Sequence, residues 1–215
     1  RLGKEITSEV VYVDASPEQV SKQGYEHFML KEMEEQGDII EKTLGVYVNE
    51  EGNVNFQKQV EGISLENFHK IYVVACGTAY HAGLQLQYFM KHLCQKEIIV
   101  DIASEFRHDP PFLDEKTLVI VISQSGETYD TLMALRQAKL QGAMTLAICN
   151  VLGSTIAREA DRVIYTLAGP EISVASTKAY TAQVVLLYLL TLYFSGKNEK
   201  ELDDVYQLSE KFERI

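Results

Sequence analysis

The chain has 215 residues, of which 46% are hydrophobic and 24% are charged, a composition typical of one globular domain with appended elements and not of a disordered chain. Its formal net charge of -11 argues against nucleic acid as a partner, because a phosphate backbone is held mainly by clustered Lys and Arg. The longest apolar run, residues 184–194, is shorter than the roughly 20 residues of a membrane span. We therefore expect a buried helix there and no membrane partner.

The first 70 residues predict a linker and a lead-in ahead of the main domain. Residues 1–24 are polar, open without a secretory signal and are interpreted as an interdomain linker. Residues 25–70 are interpreted as a helical and hairpin lead-in. Apolar residues recur there at helical spacing as far as Leu44, with Gly37 expected to interrupt the helix, and short alternating runs follow in residues 46–57. The chain does not begin with Met, which is typical of a piece of a longer protein.

Residues 71–196 carry the pattern of a complete domain. Five apolar, β-branched runs are typical of strands covered on both faces, as in a parallel sheet. The predicted strands are Ile71–Cys76, Ile98–Ala103, Leu118–Ser123, Met144–Cys149 and Arg162–Leu167. Helical patterns separate them, so we predict an α/β fold with a doubly wound, five-stranded parallel sheet flanked by helices, a flavodoxin-like three-layer sandwich. A long apolar helix from about Thr177 to Phe194 follows the fifth strand, and residues 197–215 are interpreted as the start of another helix.

Neither the cysteines nor the histidines have the spacing of metal ligands. The odd number of cysteines (Cys76, Cys94 and Cys149) favours a reduced, cytoplasmic compartment. The five histidines are scattered along the chain and are interpreted as surface or capping residues. We therefore predict neither a metal site nor a cofactor.

The segment Ser123-Gln124-Ser125-Gly126-Glu127-Thr128 lies between the third predicted strand and its helix. Ligands of doubly wound sheets sit beyond the carboxyl ends of the strands. A phosphate dianion needs several donors, which three hydroxyls and the N–H groups of a helix start can supply, with Gly126 allowing close approach. Capping of the next helix would need only one such residue, so phosphate binding is the better interpretation. The Glu127 carboxylate would repel an anion, and we expect it to turn away and serve the helix N-terminus.

Two further strand-to-helix segments carry weaker signals. In Cys76-Gly77-Thr78-Ala79, the glycine and the threonine hydroxyl suit a ligand, although an ordinary capped turn has the same pattern. Lys178 lies near the N-terminus of the long apolar helix, where the helix dipole disfavours a cation. It is interpreted as a partner of Glu171 or of an anionic ligand, with a solvated surface lysine as the alternative.

Five segments in chain order resemble the first sugar-isomerase (SIS) domain of the glutamine–fructose-6-phosphate aminotransferase family. They are Cys76–His81, Asp101–Arg107, Ile122–Thr131, Leu146–Val151 and Gly169–Tyr180. Residues 24–36 are similar to the segment that links the family's glutaminase domain to its isomerase half. The resemblance runs from about residue 10 to the end of the chain.

The resemblance implies an enzyme that transfers ammonia from glutamine to fructose 6-phosphate and isomerises the product to glucosamine 6-phosphate. It implies a homodimer whose parent chain also carries a glutaminase domain and a second SIS domain. Fructose 6-phosphate or glucose 6-phosphate is the expected ligand. The positions that match the family's sugar-phosphate site are Thr78, Ala79, Ser123, Gln124, Ser125, Thr128, Val174, Ser176 and Lys178. Two positions depart from the family pattern: Ala79 replaces the usual Ser and leaves only a backbone contact, and Gly37 stands where a Pro is typical.

No residue of this chain is predicted to be catalytic. The family's ammonia-releasing cysteine and its isomerising residues belong to parts that this sequence does not contain, so we expect binding without turnover. One alternative is a regulatory sugar-phosphate-sensing SIS domain, although the sequence has no helix-turn-helix pattern. The other is a flavodoxin-like electron carrier, in which a similar hydroxyl-rich loop follows the first strand instead of the third.

Overall fold

The computed structural model describes residues 20–197 and 199–212, and its centre is a parallel sheet of five strands. The strands are β1 (Lys70–Ala75), β2 (Ile99–Ile102), β3 (Thr117–Ser123), β4 (Met144–Cys149) and β5 (Arg162–Tyr165). Each lies within two residues of its predicted bounds. The spatial order is β2-β1-β3-β4-β5, the doubly wound, flavodoxin-like order. The predicted fold class is confirmed.

Helices cover both faces of the sheet. They are α1 (Phe28–Glu34), α2 (Gln36–Tyr47), α3 (Gly77–Leu93), α4 (Ala103–His108), α5 (Tyr129–Leu140), α6 (Thr155–Glu159), α7 (Lys178–Ser195) and α8 (Glu199–Phe212). Successive side chains of a strand point to opposite faces. Ile120 of β3 accordingly packs in the core shared with α2, α3, α7 and α8, whereas Val119 and Val121 pack with α4, α5 and α6.

The apolar helix α7 is a core element, as predicted. Its side chains Leu186, Leu187, Leu189 and Leu192 are fully buried, and it packs against α2 and α3. Within residues 20–197 and 199–212, none of the helices has the length and apolar content needed to span a membrane.

The lead-in differs from its prediction at one point. The helix breaks at Glu35, between α1 and α2, and Gly37 lies inside α2, so the predicted interruption at Gly37 is wrong. A glycine costs a helix interior only about 1 kcal/mol, which tertiary contacts of α2 with α7 can override. The predicted hairpin is a tight loop closed by one antiparallel bridge between Val48 and Val54. The linker, predicted for residues 1–24, lies mostly outside the described residues.

The sheet order creates a crevice between β1 and β3. These strands are neighbours, but α3, which follows β1, packs on one face of the sheet and α5, which follows β3, packs on the other. The two chain segments therefore diverge where the strands end. This is the topological switch point at which ligands of doubly wound sheets bind.

Candidate functional site

A cleft of about 170 Å³ lies at the carboxyl ends of β1 and β3. Its third wall is the segment Glu171–Thr177 that precedes α7, here called the lip. Eight of the nine predicted ligand residues line the cleft: Thr78, Ala79, Ser123, Gln124, Ser125, Thr128, Val174 and Ser176. Four further residues line it that were not among the predicted ligand residues: Cys76, Ile122, Glu171 and Ser173. Of these, Ser173 carries a signal that the sequence shows, since it is another hydroxyl in the same lip.

The loop after β3 holds its hydroxyls in a connected arrangement. The Ser123 Oγ is buried and accepts a hydrogen bond of 3.0 Å from the Gly126 N–H. It also lies 3.0 Å from the Thr128 Oγ1, in a bond that either hydroxyl could donate. The Ser125 Oγ accepts from the Glu127 N–H at 3.1 Å. When Ser123 donates to Thr128, the hydrogens of Thr128 and Ser125 both remain for a ligand.

Gly126 is required by the shape of this loop. Its φ of +67° lies in the left-handed region, and a Cβ at this position would lie 1.9 Å from the Ser154 Oγ and 2.5 Å from the Ser154 Cβ. The Gly126 carbonyl accepts from the Ile156 N–H at 3.0 Å. The loop between β4 and α6 therefore supports the hydroxyl-rich loop from behind at van der Waals distance.

The Glu127 carboxylate turns away from the cleft, as expected, but it serves a different helix. Its Oε1 accepts a hydrogen bond of 2.7 Å from the Thr155 N–H at the start of α6. That bond holds the pKa of Glu127 below its ordinary value, so the group stays ionised. The prediction that it would serve the N-terminus of the helix that follows it is wrong, because α6 brings its unpaired N–H groups to the exposed side of the loop.

A second carboxylate occupies the N-terminus of α7. The Glu171 Oε1 accepts from the N–H groups of Thr177 and Ala179 at 2.9 and 3.1 Å, and its Oε2 accepts from the Ser176 hydroxyl at 3.0 Å. Backbone N–H groups in the first turn of a helix have no partner within the helix. Glu171 supplies that partner to α7 from the chain itself.

The helices that flank the switch point have no such partner. Thr128 at the N-cap of α5 and Cys76 at the N-cap of α3 make no side-chain capping bond. The absence of a capping bond at Thr128 gives no support to the alternative that this segment merely caps the next helix. Because helix N-termini carry partial positive charge and free N–H donors, the α3 and α5 ends can both take an anion. The residues that line the cleft include neither Lys nor Arg, so hydroxyl and N–H donors would hold that anion.

Lys178 does not line the cleft. The residue is 4% exposed, and its Nζ donates to the Glu35 Oε2 at 2.6 Å. Lys31 of α1 lies 3.5 Å from the other oxygen of the same carboxylate. The predicted pairing with Glu171 and the alternative of a solvated lysine are both wrong, because the junction of α1 and α2 covers the start of α7 with its own carboxylate.

The side chains around the cleft offer little for proton transfer. A general base must lie within hydrogen-bond reach of the proton that it moves, and Glu171, the carboxylate that lines the cleft, already accepts three hydrogen bonds. Burial raises the pKa of the nearby Cys149 thiol to about 12, which keeps it protonated. Among the residues that the structure describes, no cluster of three His, Cys, Asp or Glu side chains could hold a metal ion.

Comparison with known proteins identifies relatives of this chain. Residues 64–193 match the family model described as the SIS domain. A glutamine–fructose-6-phosphate aminotransferase (isomerizing) from Fusobacterium nucleatum is 61% identical over 204 residues, which are 95% of this chain and 34% of that protein. The Clostridium tetani protein of the same name is 49% identical over 208 residues, with 94% of this chain and 34% of that protein covered.

A solved structure agrees with these relatives. The C-terminal domain of glucosamine-fructose-6-phosphate aminotransferase from Francisella tularensis superposes with a TM-score of 0.77 at 36% identity, covering 90% of this chain and 55% of that one. The chain spans about a third of the length of the curated relatives that it matches.

Proposed function

The chain belongs to the SIS-domain family, and from this premise we propose that it is the sugar-phosphate-binding part of a glutamine–fructose-6-phosphate aminotransferase. Fructose 6-phosphate or glucose 6-phosphate would bind in the cleft between β1 and β3. One observation carries the proposal: two helix N-termini without side-chain caps and the hydroxyl groups of Ser125 and Thr128 meet in a single cleft.

The phosphate would lie against the loop after β3. Hydrogen bonds to a charged group contribute about 1.5–3 kcal/mol each, so a few neutral donors are enough to hold a dianion. The carboxylate of Glu127 stays ionised but is held at the start of α6, which turns its charge away from the ligand. Ser123 would act indirectly, by orienting Thr128.

The sugar would extend toward the lip. Val174 and Ser176 line that wall of the cleft, and both belong to the predicted ligand set. Gln124 would contribute from the other side, and Ala79 would contribute only through its backbone. Lys178 is left out of the proposed contacts, because its ammonium group is buried against Glu35.

The parent protein would carry more than this chain. The shares covered in the relatives and the similarity of residues 24–36 to the family's connector support a glutaminase domain before this part and a second SIS domain after it. This part would then be the first of the two SIS domains. We further propose that the parent is a homodimer, as the family resemblance implies. We also propose that it works in the cytoplasm, since all three cysteines are free thiols, as expected in a reducing compartment.

The 215-residue chain should bind hexose 6-phosphates without converting them. In a calorimetric titration we expect saturable binding of fructose 6-phosphate, of glucose 6-phosphate or of both, and weaker binding of inorganic phosphate at the same site. A chain that binds none of the three would overturn the proposal.

The same preparation should give no turnover with fructose 6-phosphate and ammonia, because the cleft offers no free general base. Glucosamine 6-phosphate would be measured in the assay. Its formation would show that this chain holds catalytic residues and would contradict the division of roles proposed here.

A further inference from the structure

Helix α1 holds the lip of the cleft through one buried carboxylate. Glu32 is 2% exposed, and its Oε1 accepts from the Ile172 N–H at 2.6 Å. The Ser173 N–H lies 3.2 Å from Oε1 and 3.3 Å from Oε2. The bond therefore joins the lead-in to the lip across 140 residues of chain.

The hydrogen bonds of Glu32 to the lip are strong, and they form in only one backbone conformation of the lip. Burial of a carboxylate is costly unless hydrogen bonds satisfy it, and bonds between N–H groups and an ionised carboxylate are about twice as strong as neutral ones. Two consecutive N–H groups can reach one carboxylate only when the backbone turns both toward it. Glu32 thereby selects one backbone conformation at Ile172 and Ser173.

A second contact fixes the other end of the lip to the same helix. Glu35, which directly follows α1, pairs with Lys178 at the start of α7. The lip is thus anchored to the end of α1 at Ile172–Ser173 and again just beyond Thr177. Its position over the cleft depends on the lead-in as well as on the sheet.

Two hydroxyls of the lip, those of Ser173 and Thr177, are buried without a hydrogen-bond partner in the described structure, and Ser173 is the one of these two that lines the cleft. An unpaired buried hydroxyl is unfavourable, and its hydrogen can rotate about the Cβ–Oγ bond to suit a partner. A sugar hydroxyl in the cleft would supply the missing partner.

We propose that Ser173 contacts the sugar part of the ligand and that Glu32 is the positioning residue that holds Ser173 in place. This proposal rests on the proposed function, since it needs a sugar phosphate in the cleft. It assigns the phosphate to the loop after β3 and the recognition of the sugar to a lip that the lead-in controls.

Calorimetric titration of the 215-residue chain with fructose 6-phosphate, glucose 6-phosphate and inorganic phosphate tests this division. Ser173→Ala should weaken binding of the preferred hexose phosphate by about 3- to 10-fold, the effect of one neutral hydrogen bond, and leave binding of inorganic phosphate unchanged. Glu32→Gln should give a similar selective loss, because the amide keeps one acceptor oxygen but places an NH₂ group where Oε2 faces the Ser173 N–H.

The matched control is Glu34→Gln, the same change on an exposed position of α1 whose carboxylate accepts from the Tyr25 hydroxyl. It should alter neither affinity. The double variant Glu32→Gln/Ser173→Ala should bind the sugar no more weakly than Ser173→Ala alone, because a positioning residue has no effect once the group that it positions is gone. A purely structural role of Glu32 would instead make the two losses additive.

The outcomes separate this proposal from the proposed function. If the unaltered chain binds hexose phosphate and Ser173→Ala binds it equally well, this proposal fails and the proposed function stands. Equal losses for hexose phosphate and inorganic phosphate, or additive losses, would also overturn it. If the unaltered chain binds neither ligand, the proposed function itself fails. Ser173→Ala removes only an unpaired hydroxyl and keeps the test valid if Glu32→Gln does not fold.

Discussion

Replacing Gly126 by Ala is expected to lower the free energy of unfolding by about 2–5 kcal/mol and to weaken sugar-phosphate binding by about tenfold or more. The residue has a φ of +67°, and its Cβ would lie 2.5 Å from the Ser154 Cβ. The strain of a left-handed alanine and the steric overlap with Ser154 therefore add. Urea unfolding followed by circular dichroism measures the first effect, and calorimetric titration with fructose 6-phosphate measures the second.

Gly153→Ala is the matched control for this prediction. Gly153 has the same φ of +67°, but a Cβ there would meet nothing within 4 Å, so it reports the backbone strain alone, about 1–2 kcal/mol. The double variant Gly126→Ala/Ser154→Gly removes the overlap and should recover part of the stability and of the binding. If Gly126→Ala cost no more than Gly153→Ala, the close support of the loop by Ser154 would be refuted.

Thr128→Val is expected to weaken binding of fructose 6-phosphate by about 10- to 150-fold, the value of a hydrogen bond to a charged group. Valine keeps the shape of threonine and removes the hydroxyl that is hydrogen-bonded to Ser123. Inorganic phosphate should lose affinity by the same factor, since the lost contact is with the phosphate. Calorimetric titration with both ligands measures the two factors.

Ser125→Ala should produce a similar loss, and Ser64→Ala serves as the control because Ser64 is an exposed serine that makes no side-chain capping bond. The free energy of unfolding of Thr128→Val should change by less than about 1 kcal/mol, since Ser123 keeps its bond from the Gly126 N–H. Unchanged affinity in both Thr128→Val and Ser125→Ala would place the phosphate outside this loop and would refute the proposed site.

The proposed site also explains how an acidic chain with a net charge of -11 could hold an anion. Its carboxylates near the cleft are committed to other partners: Glu127 to α6, Glu171 to α7, and Glu32 to the lip. Each is thereby satisfied by backbone N–H donors. Local donor geometry, and not net charge, decides which anions such a cleft accepts.

The sheet and the hydroxyl-rich loop could be predicted because both depend on residues that are neighbours in the chain. Unbroken apolar runs such as that of β3 are typical of strands covered on both faces, and the parallel order brings the ends of these strands to one edge of the sheet. The placement of Ser123–Thr128 beside Thr78 in one cleft follows from this topology. Ala79, Val174 and Ser176 were predicted only from the resemblance to the SIS domain, and they line the same cleft.

The sequence could not predict which polar groups remain free, since this depends on partners that are distant in the chain. Lys178 meets Glu35 across 143 residues, and Ile172 meets Glu32 across 140. Glu127 serves α6 instead of α5 because the turn after β4 brings Thr155 within 2.7 Å. The local pattern of each residue contains no information about these acceptors.

The sequence by itself therefore determined the fold class, the position of the cleft and the presence of a loop suited to phosphate. The tertiary structure alone decided which of the charged and hydroxyl groups already have partners and which are left for a ligand. The physical reason is that a donor or acceptor forms a limited number of hydrogen bonds, and packing between distant segments determines how many of them are already used.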